Sequence, residues 1–399
     1  MLNFPPMKRS YICIAKRTAI GSFQGTLSKL SSPEIASALI EKALPQDLDK
    51  TQIDEAYMGC VLTAGIGQAP ARQAILGAKL PDSLPCTTIS KVCGSGLKSL
   101  LLADQSIRAG INTLVLAGGM ENMSQAPYLL PKMREGLRLG HGKLIDSMVH
   151  DGLWDAYNDY HMGNAAEECA QKYEITREDQ DRYAVQSYEQ AIESRAQGLF
   201  KDEITPLTIQ SRKKSIEFDS DEELDKFNKE KFSQLRAAFI KDGSVTAGNA
   251  SSLSDGAAIT LIASEEALKA NPSLKAIAVI HGQSQAAQEA KWFSTAPAKS
   301  IDLLFKNSEI TKDKIDFWEI NEAFSVVALA NMKLLELDPK KVNSRGGAVA
   351  LGHPIGASGC RIVVTLLHSL MQEKKKYGVA SICIGGGEAN SILVENLVL

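Results

Sequence analysis

The two ends of this chain repeat one pattern, and that repetition limits the folds open to it. CGSGLK (93–98) leads into a helix-like segment and then LAGGMEN (116–122). GASGCR (356–361) leads into another and then IGGGEAN (384–390). Gly96 to Gly118 is 22 residues and Gly359 to Gly385 is 26. Both blocks read as glycine-rich turn, helix, strand, glycine turn. A duplication of this kind predicts two similar α/β halves related by a pseudo-twofold. Residues 35–43 read as helix, and 113–117 and 381–384 as buried strands ending at glycines. Strand and helix in alternation give α/β layers with a mostly covered sheet. Residues 123–250 break the pattern with more charge and more turns, including SRKKS (211–215) and DSDEELDKFNKEK (219–231). They read as an inserted loop-and-helix domain, each charge run taken alone being a solvated face.

Composition narrows the function classes. The chain has 399 residues, room for two or three domains. With 44% hydrophobic and 23% charged residues it is neither disordered nor collagen-like. A net charge of −3 lacks the basic excess of a nucleic-acid binder. No run of eighteen apolar residues marks a membrane span, and the first residues carry no apolar export segment. A cytoplasmic enzyme is the expectation. Seven cysteines, an odd count with no CxxC pair, argue against a disulfide framework or a structural zinc and for a reducing compartment.

Four short stretches carry candidate chemistry. Cys93 stands just before a helix-like segment, where unpaired N–H groups and the helix dipole favour thiolate over thiol. Gly94 and Gly96 beside it would admit a substrate close to the backbone. His353 lies in a run of five glycines in 15 residues (345–359), a setting unlike a core-packing helical face. Its imidazole could take a proton from a thiol or stabilise an oxyanion. Cys383 ends a buried strand before Gly385-Gly386-Gly387, whose N–H groups could face a developing negative charge. Asn321, in WEINEAF (318–324), offers a neutral amide for a water or a carbonyl.

Taken together and in order, these stretches resemble the thiolase family. CGSGLKS, AGGMENMSQAPY, HMGNAAE, GSVTAGNASSLSDGAA, NEAF, GGAVALGHPIGASG and CIGGG all read as its motifs, as do AKRTAIGSFQGTLS (15–28) and GQAPARQA (67–74). The resemblance covers essentially the whole chain. It implies two duplicated α/β halves stacked as a five-layer αβαβα core: residues 1–122 with 253–275, and 276–399. Residues 123–252 would be an inserted loop domain for coenzyme A binding and tetramerisation.

It further implies reversible Claisen condensation of two acetyl-CoA to acetoacetyl-CoA through an acetyl-cysteine on Cys93. His353 would be the activating base and Cys383 the acid/base at the α-carbon. Asn321 would hold a water that forms one oxyanion hole with His353, and the N–H groups of Cys93 and Gly385 would form the other. His161 and Met162 would crowd the acyl group and select short chains. Leu153, Ala238, Phe239, Ala247, Ser251, Ala323 and Phe324 would line the substrate channel. The substrates would be coenzyme A thioesters, with no metal or organic cofactor, no nucleic-acid or membrane partner, and a homotetramer formed through residues 126–146.

A longer-chain 3-ketoacyl-CoA thiolase of fatty-acid oxidation is the rival within enzymes, and a catalytically silent binding subunit the rival outside them. Departures from the family pattern motivate the second. Arg345 stands where asparagine is usual, Glu388 replaces a methionine or glutamine, and the arginine near the coenzyme A phosphates has no counterpart beyond Lys226, Lys229 or Lys231.

Overall fold

The computed structural model describes residues 8–210 and 215–399, so only Ser215 of the 211–215 charge run falls within it. The first half runs β1 (Ser10–Arg17), α1 (Ser32–Ala43), β2 (Glu55–Gly59), α2 (Pro70–Gly77), β3 (Cys86–Ile89), α3 (Ser95–Arg108) and β4 (Leu114–Asn122). An insertion follows, with α4 (Met162–Lys172) and α5 (Arg177–Ala196), before the chain returns as β5 (Ser254–Ser264). The second half repeats the order: β6 (Ala278–Ala287), α6 (Ala296–Lys306), β7 (Phe317–Ile320), α7 (Ser325–Leu335), α8 (Ile355–Gln372), β8 (Tyr377–Ile384) and β9 (Glu388–Asn396).

Strand pairing repeats as well. In the first half β1 pairs antiparallel with β5, β5 antiparallel with β4, β4 parallel with β2, and β2 parallel with β3. In the second, β6 pairs antiparallel with β9, β9 antiparallel with β8, and β8 parallel with β7. The counterpart of β3 shrinks to a parallel bridge between Trp318 and Val342. The halves meet where Tyr11 and Ile12 of β1 pair with Val279 and Ala278 of β6, so one ladder runs through both sheets.

Side-chain alternation separates the layers, because successive strand residues face opposite ways. In β5, Ala257, Ile259, Leu261 and Ala263 join the outer core under α1 and α2, while Ala258 and Ile262 face the centre. In β8, Val379 and Cys383 face the outer core of the second half, while Ala380 and Ile382 face the centre. Between the two sheets lie α3 and α8, whose Leu97, Leu100, Ile362 and Val363 belong to that central core. The result is the αβαβα stack, with α1 and α2 outside one sheet and α6 and α7 outside the other.

Three expectations need correction. Gly118 and Gly119 do not form a turn; β4 runs through them to Asn122. A Cβ on Gly119 would lie 2.1 Å from the Gly356 carbonyl oxygen, so Gly119 admits the start of α8 against the sheet, and one on Gly118 would lie 2.3 Å from Ala258 O of β5. Gly94 and Gly96 likewise make room for protein and not for substrate. A Cβ on Gly96 would meet Cys360 N and Gly356 O at 2.9 Å, and one on Gly94 would meet Ile384 Cδ1 at 2.3 Å. The run 219–231 is a solvated face only in part: residues 225, 226 and 228–231 are exposed, but 221–224 turn inward. Asp221 is buried against Arg17 at 2.7 Å, and Glu222 accepts the Ser22 N–H at 2.8 Å, pinning the loop after β1.

Candidate active site

Cys93 and His353 occupy matching places in the duplication, each two residues ahead of a central helix, α3 or α8. The turn bearing Cys93 is strained: Val92 has φ +44°, a left-handed backbone that a β-branched residue rarely adopts. Gly94 N–H donates to Lys91 O at 3.0 Å, and Ser95 holds Val92 O through both its N–H (3.1 Å) and its Oγ (2.7 Å). The strain is thus held by the start of α3, and the thiol is turned out at a sharp bend.

The Gly385 N–H and the Cys93 N–H both face the Cys93 sulfur and favour its charged form. Burial outweighs them and pushes the thiol up to about 11. The expected pull of N–H groups toward thiolate is present but outweighed, and the resting group is a thiol. Cys383 is fully buried, and its thiol is raised well above the ordinary range by burial and by the neighbouring Cys93 sulfur. The N–H groups of Cys383 and Ala323 oppose that shift.

His353 is 5% exposed and neutral, pulled down to about 3 by burial and by the Arg361 charge. Its Nδ1 lies 2.6 Å from Ser358 Oγ, which sits 3.0 Å from Pro354 O. Its Nε2 faces Asn321 Nδ2 at 3.5 Å. Asn321 is completely buried, and its Oδ1 has no protein partner. An orphaned buried acceptor of this kind calls for a water molecule.

A cavity of about 420 Å³ opens onto Cys93, His353 and Gly385. Every residue expected to line the substrate channel lies on its wall: Leu153, His161, Met162, Ala238, Phe239, Ala247, Ser251, Ala323 and Phe324. Asn321 and Cys383 lie behind that wall, fully buried. His161 caps α4 by accepting the Gly163 N–H at 3.1 Å and stacks on Phe239 with ring centres 4.7 Å apart. Met162 Sδ and Cε lie 3.9 Å from where a Cβ on Gly385 would sit, which narrows the cavity beside the sulfur. The Ser251 N–H and Oγ both donate to Ala323 O, at 3.1 and 2.9 Å, joining the insertion to the NEAF segment.

Other parts of the site were not foreseen. Met148, Phe293 and Ile355 also line the cavity; the first two come from short non-α turns with no periodic signal, and Ile355 opens α8 within the GHPIGASG run. Glu121, fully buried, accepts N–H groups from Val61 (3.1 Å), Leu62 (3.2 Å) and Gly356 (2.9 Å). It ties the loop after β2 to the first turn of α8, and burial lifts its carboxyl to about 7. Its place in AGGMEN was the available signal. Glu322 accepts from Tyr183 Oη (2.8 Å), Ser187 Oγ (2.9 Å) and Asn343 Nδ2 (2.9 Å), so α5 holds the segment next to Asn321.

The departures fall outside the reactive side chains. Arg345 is 1% exposed and donates to Leu199 O (3.3 Å) and His368 O (3.5 Å), in a buried charged group with Glu203 and Glu319. Glu388 forms an ion pair with Lys91. Lys226 and Lys229 are paired with Glu223 and Glu189.

The chain matches the family models described as thiolase, N-terminal domain, over residues 10–266, and thiolase, C-terminal domain, over 274–396. Among curated proteins it is 51% identical to acetyl-CoA acetyltransferase 1 of Arabidopsis thaliana, over 96% of this chain and 94% of that one. It is 48% identical to the acetyl-CoA acetyltransferase of Pseudomonas aeruginosa, over 96% and 98%. Among solved structures, the Acat5 thiolase of Ascaris suum in complex with coenzyme A superposes with a TM-score of 0.92 at 42% identity, covering 98% of this chain and all of that one. The acetyl-CoA acetyltransferase of Bacillus anthracis superposes with a TM-score of 0.95 at 38% identity, with the same coverage.

Proposed function

The chain belongs to the thiolase family, and from that premise we propose that it is an acetyl-CoA acetyltransferase with the following division of labour. It condenses two acetyl-CoA to acetoacetyl-CoA and coenzyme A, and runs the thiolysis in reverse. The observation that carries this reading is the pair of N–H groups, from Cys93 and Gly385, facing one sulfur at the end of an apolar cavity.

Both partners start neutral. As the Cys93 sulfur attacks the thioester carbon, its proton passes to His353 Nε2, so charge develops only along the reaction path. The carbonyl oxygen becomes negative between the two N–H groups, the acetyl group stays on sulfur, and the coenzyme A thiolate leaves with the proton of Cys383, while His353 returns its own to solvent through the open cavity. The Cys383 thiolate left behind then takes the α-proton of a second acetyl-CoA. The enolate oxygen rests on His353 and on a water held by Asn321, the carbanion attacks the acetyl-cysteine, and the Cys93 thiolate so released takes a proton back through His353. In thiolysis a protonated Cys383 returns that proton, which suits its high resting affinity for it.

His353 has to accept a proton in one half-reaction and donate a hydrogen bond in the other, and Ser358 suits both. With its hydroxyl turned to Pro354 O, the serine accepts from Nδ1–H and leaves Nε2 as a base. Turned to Nδ1, it leaves the hydrogen on Nε2, facing an enolate.

Residues 1–122 with 253–275 and residues 276–399 form the two catalytic halves in this reading, and 123–252 supply the substrate wall. Met162 beside Gly385 supports short acyl chains. With Lys226 and Lys229 engaged, Lys231 is left for a coenzyme A phosphate. The exposed apolar residues of 126–146, Leu139 foremost, support a homotetramer. Among the described residues no helix is long and apolar enough to cross a membrane, and a cytoplasmic location fits the free cysteines. The substrates are acyl-CoA thioesters, and the chemistry proposed calls on no metal or organic cofactor.

Peptide mass spectrometry after brief exposure to acetyl-CoA tests the reading. An acetyl group on the Cys93 peptide, discharged by coenzyme A and absent from Cys93→Ser, is the expected result. A folded protein that binds coenzyme A without acquiring the adduct would overturn it.

A further inference from the structure

The two N–H groups that face the Cys93 sulfur come from different halves of the molecule. One belongs to the strained turn before α3, the other to the glycine turn between β8 and β9. That second turn bends through Gly386 and Gly387, with φ of +90° and +86°, and Gln288 N–H donates to Gly387 O at 2.9 Å on its far side. The next residue, Glu388, opens β9 and forms an ion pair with Lys91, the residue before Val92. Glu388 also acts on Lys98 in the first turns of α3, whose charged form it favours while Lys91 disfavours it. One carboxylate therefore sits among two ammonium groups on the segment that presents Cys93. Around it, the Val92 side chain lies 3.5 Å from where a Cβ on Gly385 would sit, and Asn390 Nδ2 donates to Gly94 O at 3.4 Å.

We propose that the Lys91–Glu388 ion pair is a positioning device that fixes the Gly385 turn against the Cys93 turn, and so sets the spacing of the two oxyanion donors. It rests on the thiolase reading above and adds to it a pair of residues that touch no substrate. Oxyanion donors act only when held ready before charge develops, and a small misplacement is costly. Lys91 and Glu388 are 22% and 39% exposed, so solvent screens the pair, and the effect expected is moderate.

Glu388→Gln keeps the shape and removes the charge. In that variant kcat, and the rate of Cys93 acetylation by acetyl-CoA, should fall about fivefold, with KM within about twofold of wild type. The same N–H groups favour the Cys93 thiolate, so iodoacetamide alkylation of Cys93 should slow as well, but by less than acetylation, which also loses stabilisation of the oxyanion; equal slowing of both reactions would overturn the proposal. The reversed pair, Lys91→Glu with Glu388→Lys, should recover most of the acetylation rate lost by either single change. An unchanged acetylation rate in Glu388→Gln would overturn the proposal while leaving the thiolase reading intact. So would a reversed pair no better than its single variants. Absence of acetylation in the wild-type protein would instead defeat the thiolase reading, and this proposal with it.

Discussion

At the scale of single residues, burial decides protonation at this site. Cys93 stands before a helix and faces two N–H groups, yet desolvation wins and holds it near 11. Between pH 6 and 9 its thiolate fraction should therefore rise about tenfold per unit. Iodoacetamide alkylation of Cys93 should climb through that window without a plateau. A plateau below pH 8 would mean that His353 takes the proton in the resting enzyme. Ser358 gives a second expectation. Ser358→Ala removes the group that lets His353 exchange tautomers and leaves Nδ1 without its partner. The change should lower kcat about 10- to 100-fold, with acetylation and condensation both slowed. Single-turnover rates of the two half-reactions would check this, and loss of only one would assign the serine to one tautomer alone.

At the scale of elements, close backbone approach explains both what the sequence disclosed and what it concealed. A Cβ on Gly119 would meet the Gly356 carbonyl at 2.1 Å, and one on Gly359 would meet Leu97 N at 2.4 Å. Backbone atoms cannot step aside as a flexible side chain can. Gly119→Ala should cost about 3 kcal/mol or more, through the forced separation of α8 from β4. Thermal unfolding would register it, with Cys93 acetylation lost in the same variant. Glycine density showed where the duplicated blocks lie, but not whether each glycine turns the chain or admits a neighbour. That depends on partners more than 200 residues away, as at Gly119 and Gly356. Periodicity marked α1 and the buried part of β4, because those patterns are local. Cys93, His353, Asn321 and Cys383 stood out because each sits in a glycine-rich or motif-bearing run. Glu121 and Met148 did not, since their roles come from contacts across elements, and Ser358, whose partners His353 and Pro354 are local, was one small residue among the glycines of its run.

At the scale of the whole molecule, the duplication accounts for where the cavity lies. The central helices α3 and α8 are equivalent, so the residues ahead of them, Cys93 and His353, open toward the same end of the stack. The second half connects its last two strands with three glycines, whereas the first inserts more than a hundred residues at that point. The insertion thereby reaches back over the site built by both halves. Within it, Tyr128–Leu129 pairs with Ile145–Asp146, and the excursion between them exposes Met133 (51%), Leu139 (100%) and Leu144 (64%). Apolar residues grouped this way on an extended arm are the feature on which the proposed tetramer rests, in which a second copy of the chain would supply the matching arm. Met133→Glu with Leu139→Glu should set like charges against each other in that contact and reduce the assembly from four chains to two. Light scattering after size exclusion reads the mass directly. The cavity around Cys93 is walled by residues of one chain, so the smaller assembly should acetylate Cys93 within about twofold of wild type. If four chains persist with both charges in place, the arm is not what joins them, and another surface has to hold the tetramer.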